Sequence, residues 1–243
     1  MNMRKLILLF IAVSFGLTMT SCLDGNQNFS ESDIVYIDQQ GSAIYGKTLS
    51  NRRLITSNQM ILMDPGTFKF FHYSWEEENG YTQIGDVNVN NVVIQGDPVD
   101  IAKTYLQTNP VMEVEDPARF NEIREPIRDP EGVYFGDLWL FEYSYMGKEG
   151  ETPVVTFNKR NSDEQYPDNV EIDIRLAKTG TPKEGAAERQ MGDLISVDMR
   201  ALRQMYAGQN KDVNIKFFYY VKDKEELNES RTTYLMRMKS SAQ

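Results

Sequence analysis

Strict alternation of apolar and polar residues is the feature that most constrains the fold of this chain. In the stretch NVEIDIRLAKT, apolar side chains occupy Val170, Ile172, Ile174 and Leu176, with acids and an arginine between them. A period of two places these four side chains on one face of a strand, whereas a helix repeats after about 3.6 residues. Similar short runs recur along the chain between turn signals such as DPG and ENG. The pattern predicts an all-β protein whose strands each have one buried face.

The first group of strands predicts a small barrel. Apolar and aromatic runs between residues 33 and 96 supply about five short antiparallel strands, which fits an OB-like barrel domain over 33–107. At the end of that domain, Ile101, Tyr105 and Leu106 follow Pro98 at helical spacing. This spacing predicts a short helix between the two halves of the chain.

A second β-domain follows a linker. Residues 108–132 contain Pro117, Pro126 and Pro130 among many charged residues, which predicts an irregular connection. Residues 133–239 then supply about six further strands, with a helical turn or two in the stretch MRALRQMYAG. The second domain is predicted to be an antiparallel β-sandwich.

The N-terminal segment predicts export. Residues 1–21 carry Arg4 and Lys5 before the apolar run LILLFIAVSFGLTM, which is shorter than the roughly 20 residues that a membrane-spanning helix needs. The sequence MTSC resembles the lipobox of bacterial lipoproteins. That resemblance implies cleavage between Ser21 and Cys22 and a lipid on the Cys22 sulfur. Acyl chains on one residue bind a bilayer with about 0.8 kcal/mol per buried methylene, so two or three chains form a lasting anchor. Residues 22–32 are mostly polar, and we expect them to form a flexible tether.

The order of these features resembles the NigD-like proteins of Bacteroidales. The resemblance runs from SCLDGN through FKFFHYSWEEENGYTQIGDVNVNNVVI, GDLWLFEYSYMGKEG, VEIDIRLAK and ISVDMRALR to NIKFFYYVKD, and so covers most of residues 22–239. It implies a lipoprotein with an N-terminal OB-like barrel and a C-terminal β-sandwich. The family has no established biochemical activity, and its name, which comes from a bacteriocin gene cluster, implies an immunity or defence role only by association.

The composition limits which ligands, metal sites and catalytic residues the chain can have. The chain carries a net charge of −10, which opposes binding to nucleic acid because phosphate contacts need clustered lysine and arginine. It contains one cysteine and one histidine, Cys22 and His72, so a disulfide framework and a multi-cysteine metal site are excluded. His72 lies in a predicted strand among aromatic residues, where packing is the simpler role. We therefore predict no catalytic residue, no metal ligand and no cofactor.

Aromatic residues supply the candidate binding face. Tyr73, Trp75 and Tyr81 flank the charged tip EEENG of a predicted hairpin, and such side chains stack on sugar or base rings when they are exposed. The alternative is that they pack in the core, as aromatic residues of β-proteins usually do.

The sequence thus predicts a lipid-anchored protein of the cell envelope, at the outer membrane, with a non-catalytic role in binding a protein or a glycan. The sequence leaves two alternatives for the leaflet that carries the anchor, the periplasmic one and the surface-exposed one. The alternatives are an accessory protein that binds or hydrolyses glycans, and a bacteriocin-associated immunity protein.

Overall fold

A computed structural model describes residues 28–111, 117–161, 168–209 and 211–238. The chain divides between Ile101 and Ala102 into two compact units, each built around its own sheet. The predicted all-β class, a barrel-like sheet followed by a second β-domain, is confirmed. Among the described residues, no helix is long and apolar enough to cross a membrane.

The first unit is a seven-stranded sheet that curls into half of a barrel. Its strands are β1 (Phe29–Gln40), β2 (Ala43–Thr48), β3 (Leu54–Thr56), β4 (Thr67–Trp75), β5 (Tyr81–Ile84), β6 (Val87–Asn91) and β7 (Val93–Asp100). They lie in the order β5-β6-β3-β2-β1-β4-β7. Neighbours are antiparallel except β3 and β6, and two 3-10 turns cover Asn58–Leu62 and Glu77–Asn79.

Alternation along β4 and β1 builds the core of this unit. Phe71, Tyr73 and Trp75 point to the inner face of β4, and they pack with Val35 and Ile37 of β1. All five side chains are buried. The residues between them in β4 are partly exposed, which is the alternation that a half-buried strand requires.

The described residues of the second unit form a nine-stranded sheet and a short helix. Its strands are β8 (Ala102–Gln107), β9 (Phe120–Ile123), β10 (Leu138–Gly147), β11 (Thr152–Lys159), β12 (Asn169–Thr179), β13 (Arg189–Asp198), β14 (Asp212–Tyr219), β15 (Asn228–Glu229) and β16 (Tyr234–Arg237). The helix, α1 (Arg200–Met205), lies between β13 and β14. The order is β15-β14-β12-β11-β8-β13-β10-β9, and β16 also pairs with β14.

Alternation also places the core of the second unit. Val170, Ile172, Ile174 and Leu176 are buried along β12, as the sequence predicts. Phe217 of β14 packs edge-to-face on an aromatic ring of β10, with the ring centroids of Phe141 and Phe217 5.2 Å apart. The predicted antiparallel sandwich differs in one respect, because β8 pairs in parallel with β11 and β13, and β12 pairs in parallel with β14.

The predicted helix at the end of the first domain is wrong. Val93–Asp100 is β7, and Ala102–Gln107 is β8, which lies between β11 and β13. Leu106 is buried while Tyr105 is 57% exposed, so the segment follows a strand period. Hydrogen bonds from two neighbouring strands outweigh the weak helical preference of a six-residue segment. This strand belongs to the second unit, whereas residues up to 107 were predicted to belong to the barrel.

The predicted linker over 108–132 also contains paired structure. Phe120–Ile123 is β9, and single bridges join Ala118 to Leu176 and Ile127 to Leu140. Phe120 is fully buried. Prolines are compatible with an edge strand, because their missing N–H groups are not needed on an unpaired side.

The last four residues of the tether predicted over 22–32 belong to the first strand. Residues 29–32 belong to β1 and pair with β4, from Phe29 opposite Trp75 to Ser32 opposite His72. Phe29 also stacks on Trp75 with ring centroids 5.6 Å apart. The signal segment 1–21, the cleavage site at Ser21 and Cys22, and the first part of the tether lie outside the described residues.

Candidate functional site

The two ends of the nine-stranded sheet lie on opposite sides of an open cleft. β9 ends the sheet on one side, and β15 and β16 flank β14 at the other. The cleft is lined by residues 121–126 on one wall and by residues between 219 and 234 on the other, with Phe141, Ile174 and Phe217 at its floor. We call this feature the seam cleft. It marks the place where a curled sheet fails to close by strand pairing.

Hydrogen bonds join the two walls at both ends of the seam cleft. At one end Phe120 bridges Val221, with the Phe120 N–H donating to the carbonyl of Tyr220. At the other end the Thr232 hydroxyl donates to the Glu125 carboxylate across 2.8 Å. The walls therefore stay in place while the stretch between the two ties is open, with a volume of about 650 Å³. That volume lies in the range of small-ligand sites in proteins.

The floor is apolar and aromatic. Phe141, Ile174 and Phe217 are buried, and Tyr234 packs against Phe217 with ring centroids 5.6 Å apart. Burial raises the pKa of Tyr234 to about 12, helped by the negative charge of Glu125. Burial likewise raises the pKa of Tyr219. Both phenols therefore stay neutral near pH 7, and each can donate or accept a hydrogen bond.

The rim carries more basic than acidic side chains, although the chain as a whole is acidic. The lining residues include four basic side chains, Arg124, Lys222, Lys224 and Arg231, and three acidic ones, Glu122, Glu125 and Glu229. The net charge of the chain is −10.

The basic side chains of the rim differ in their pairing. Arg124 is paired with Glu142 at 2.8 Å. Lys222 and Arg231 form no ion pair with any residue that the structure describes. Two cations are thus open to an anionic group of a ligand.

Asn121 interrupts the wall formed by β9. Tyr145 pairs with Phe120 and Ser144 pairs with Glu122, so Asn121 is the extra residue of a β-bulge. Its Oδ1 atom is inaccessible to solvent and has no hydrogen-bond partner among the described residues. An unpaired buried acceptor costs about 1–3 kcal/mol, so this part of the wall is held in place by its neighbours at some cost in stability.

The predicted binding face is wrong for two of its three residues. Tyr73 and Trp75 are buried in the core of the first unit, where the Tyr73 hydroxyl donates to Glu31 and the Trp75 indole N–H donates to the Gly80 carbonyl across 3.0 Å. Only Tyr81 is exposed, at 52%. From Phe71 to Trp75 every second side chain of β4 is buried, so core packing was the correct alternative for Tyr73 and Trp75.

The histidine lies in the first unit, among hydroxyl groups. His72 shares hydrogen bonds with Ser30 at Nε2 and Ser32 at Nδ1, each across 3.0 Å. Both ring nitrogens are therefore occupied, on a partly exposed strand face. No group of three or more histidine, cysteine, aspartate or glutamate side chains suited to a metal ion occurs within the described part of the chain.

Sequence reasoning missed the seam cleft. Its residues come from the predicted linker and from the closing strands, which are distant in sequence and meet only in the folded sheet. The one available signal was the charged stretch KDKEELNES beside tyrosines, and it reads equally well as a solvated hairpin loop.

Comparison with known proteins supports the fold. No protein-family model matches the chain, and no curated protein matches it. An uncharacterised protein from Parabacteroides merdae has a similar structure, with a TM-score of 0.59 at 10% identity over 86% of this chain and 100% of that chain. A candidate lipoprotein from Bacteroides fragilis is also similar, with a TM-score of 0.57 at 12% identity over 88% of this chain and 100% of that chain.

A NigD-like immunity protein from Bacteroides caccae is similar over 89% of this chain and 99% of that chain, at 14% identity and a TM-score of 0.47. At these identities the likenesses concern the fold alone, and the fold of this chain is shared with the Parabacteroides merdae and Bacteroides fragilis proteins.

Proposed function

We propose that this chain is a lipid-anchored protein of the cell envelope that binds a ligand in the seam cleft and does not transform it. The observation that carries the binding role is the cleft itself, which combines a floor of buried aromatic residues, two neutral tyrosine hydroxyls and two basic side chains that have no ion-pair partner among the described residues. The accessible lining of the cleft is more polar than apolar, so the cleft suits a ligand with charged and hydrogen-bonding groups.

The chemistry of the cleft favours binding over catalysis. The lining contains tyrosine, asparagine, serine and paired or exposed charges, and the chain's one histidine lies in the other unit. Nucleophilic catalysis needs an activated nucleophile beside a base that a third group orients. In the cleft, Glu125 accepts a hydrogen bond from Thr232, and Arg124 pairs with Glu142, so these groups position the walls.

Anchoring is proposed from the N-terminal sequence. The stretch MTSC places Cys22 directly after an export signal, and the candidate lipoprotein from Bacteroides fragilis shares the fold. A lipid on Cys22 would attach the two units to the outer membrane through the short polar stretch before β1.

Metabolic labelling tests the anchor. We expect wild-type protein expressed in a Bacteroidales host to incorporate a clickable palmitate analogue and to sediment with membranes. Cys22→Ser should lose the label and the membrane association, whereas Ser21→Ala, which keeps a small residue at the cleavage site, should retain both. A Cys22→Ser protein that is processed and membrane-bound like the wild type would refute the anchor.

Site-specific photo-crosslinking tests the binding site. A photoreactive amino acid at Lys222, on the rim of the seam cleft, should give a discrete adduct in living cells. The same group at Lys183, which is exposed on a loop outside the cleft, is the matched control. Equal adduct patterns at the two positions, or none at Lys222, would contradict the cleft as the binding site.

A further inference from the structure

The backbone of β9 presents unused hydrogen-bonding groups to the seam cleft. Glu122 pairs with Ser144, and the Arg124 N–H donates to the Glu142 carbonyl across 2.9 Å. Residues of an antiparallel edge strand alternate between bonding to the neighbour and facing away from it. The N–H and C=O groups of Ile123 therefore point away from β10, into the cleft.

The opposite wall has the same property. The Ser230 N–H donates to the Phe217 carbonyl across 2.7 Å, and Asn228 pairs with Tyr219. By the same alternation, the backbone groups of Glu229 point away from β14. Glu229 lines the cleft, and its carbonyl accepts a hydrogen bond from the Asn228 side chain across 3.5 Å. Its N–H has no partner among the described residues and faces the backbone of Ile123 across the seam.

Two facing strand edges are a template for an added strand. We propose that the ligand of the seam cleft is an extended peptide segment of a partner protein, which adds between β9 and β15 and carries an acidic side chain. The proposal rests on the proposed binding function and names its ligand class. Phe120 already bonds to Tyr220 and Lys222, so the added segment would run beside residues 121–125. At a rise of about 3.3 Å per residue it would contain about four or five residues.

Charge and shape fit this occupant. Lys222 and Arg231 stand on the rim without ion-pair partners among the described residues, and a carboxylate of the peptide would sit beside them. Alternate side chains of an extended peptide point to opposite faces, so every second one would point into the cleft, above the buried Phe141 and Phe217. A glycan would use the rim and the tyrosine hydroxyls but would leave the two backbone edges unpaired.

Selection from a displayed library of random linear dodecapeptides, against the full-length protein in detergent, supplies the probe. We expect enriched peptides to contain at least one acidic residue between apolar residues. N-methylation of single backbone amides in a selected peptide should weaken binding about tenfold at alternate positions and little at the positions between them. This scan changes the peptide only, so it does not depend on how a protein variant folds.

Charge reversal supplies the test on the protein side. Lys222→Glu with Arg231→Glu should weaken the selected peptide by about tenfold or more, because an attraction becomes a repulsion. Lys183→Glu with Arg189→Glu makes the same change of charge at two exposed positions outside the cleft, and should leave the affinity within about twofold.

Hydrogen exchange on the free and the peptide-bound protein separates the remaining outcomes. The amides of Ile123 and Glu229 should exchange quickly in the free protein and become protected by the peptide. Protection of these amides without peptide would show that the chain itself fills the seam, and this would overturn the proposal.

The other results are equally decisive. N-methylation effects without alternation would overturn strand addition. If oligosaccharides bind and peptides do not, while Lys222 still crosslinks to a ligand, the peptide proposal fails and the binding function stands. If neither binds and no crosslink forms, both fail.

Discussion

Replacing Gly46 with alanine tests how tightly the first unit is packed. Gly46 lies in β2, opposite Ile37 of β1 and Ile55 of β3. A Cβ atom there would lie 2.4 Å from Cγ1 of Val35, 2.8 Å from Cε of Met60 and 3.1 Å from Cγ1 of Ile55. The backbone of Gly46 does not adopt a positive φ, so the cost of the added methyl group is one of packing.

The three close contacts are unequal. The end of Met60 can move aside, because its side chain has three rotatable bonds. Val35 is fully buried and branched at Cβ, so it can move only by leaving its rotamer or shifting the strand. Overpacking of this kind costs about 1–3 kcal/mol. Replacing glycine with alanine restricts the unfolded chain and offsets about 0.4–1 kcal/mol of that cost. We expect a net loss of about 1–2 kcal/mol.

Thermal unfolding gives the assay. For a unit of this size each kcal/mol corresponds to about 4–8 °C, so Gly46→Ala should lower the Tm of the first unit by roughly 5–15 °C. The chain has two tryptophans, Trp75 in the first unit and Trp139 in the second. In a Trp139→Phe background, fluorescence therefore reports on the first unit alone.

A second substitution checks the mechanism. Val35→Ala removes the side chain that the new methyl group meets, so the double variant should be more stable than the sum of the two single losses by about 0.5–3 kcal/mol. Strict additivity, or a Gly46→Ala protein as stable as the wild type, would refute the packing argument.

Two further predictions concern buried charges. Burial raises the pKa of Asp33 from 3.8 to about 6, even though the Ser50 N–H donates a hydrogen bond to its carboxylate. The stability that Asp33 contributes is therefore complete below pH 4 and is lost as the pH rises through 6, by at most about 3 kcal/mol. In urea unfolding between pH 4 and 7.5, Asp33→Asn should flatten this pH dependence, and an unchanged slope would refute the argument. Asp173, which is 4% exposed, pairs with Arg160 at 3.0 Å and Arg175 at 2.9 Å. Asp173→Ala should cost about 3 kcal/mol of unfolding free energy, because Arg175 loses this ion pair and Arg160 keeps only its pair with Glu171. The exposed Glu171→Ala control should cost less than about 1 kcal/mol in the same experiment, and equal losses would contradict the role of burial.

The strands that sequence reasoning located best are those with one buried face. From Val170 to Leu176 of β12 every second side chain is apolar and buried, and the period of two was visible in the sequence because the residues between them are polar. The same reasoning placed the turns and the short helix α1 after the stretch ISVD. For these elements, local pattern and tertiary environment agree.

Residues 98–107 show where the pattern was insufficient. Ile101, Tyr105 and Leu106 fit a helical spacing, yet Leu106 belongs to β8, which starts at Ala102 and lies between strands that start at Thr152 and Arg189. A sequence window contains no information about such partners. The aromatic residues of β4 were ambiguous for a related reason, since alternation identifies two faces without stating which one is covered. Tyr73 and Trp75 proved to be on the covered face.

By itself the sequence determined the β class, the two-part order of the chain and the prediction of an anchor at Cys22, because these depend on residue period, composition and local motif. Only the tertiary structure decided the boundary at Ile101 and Ala102, the pairing of β8, and the seam cleft. The seam arises because the two ends of a curled sheet approach one another and pair only where Phe120 bridges Val221. That approach is set by the accumulated twist and order of the strands between them, which no short stretch of sequence encodes.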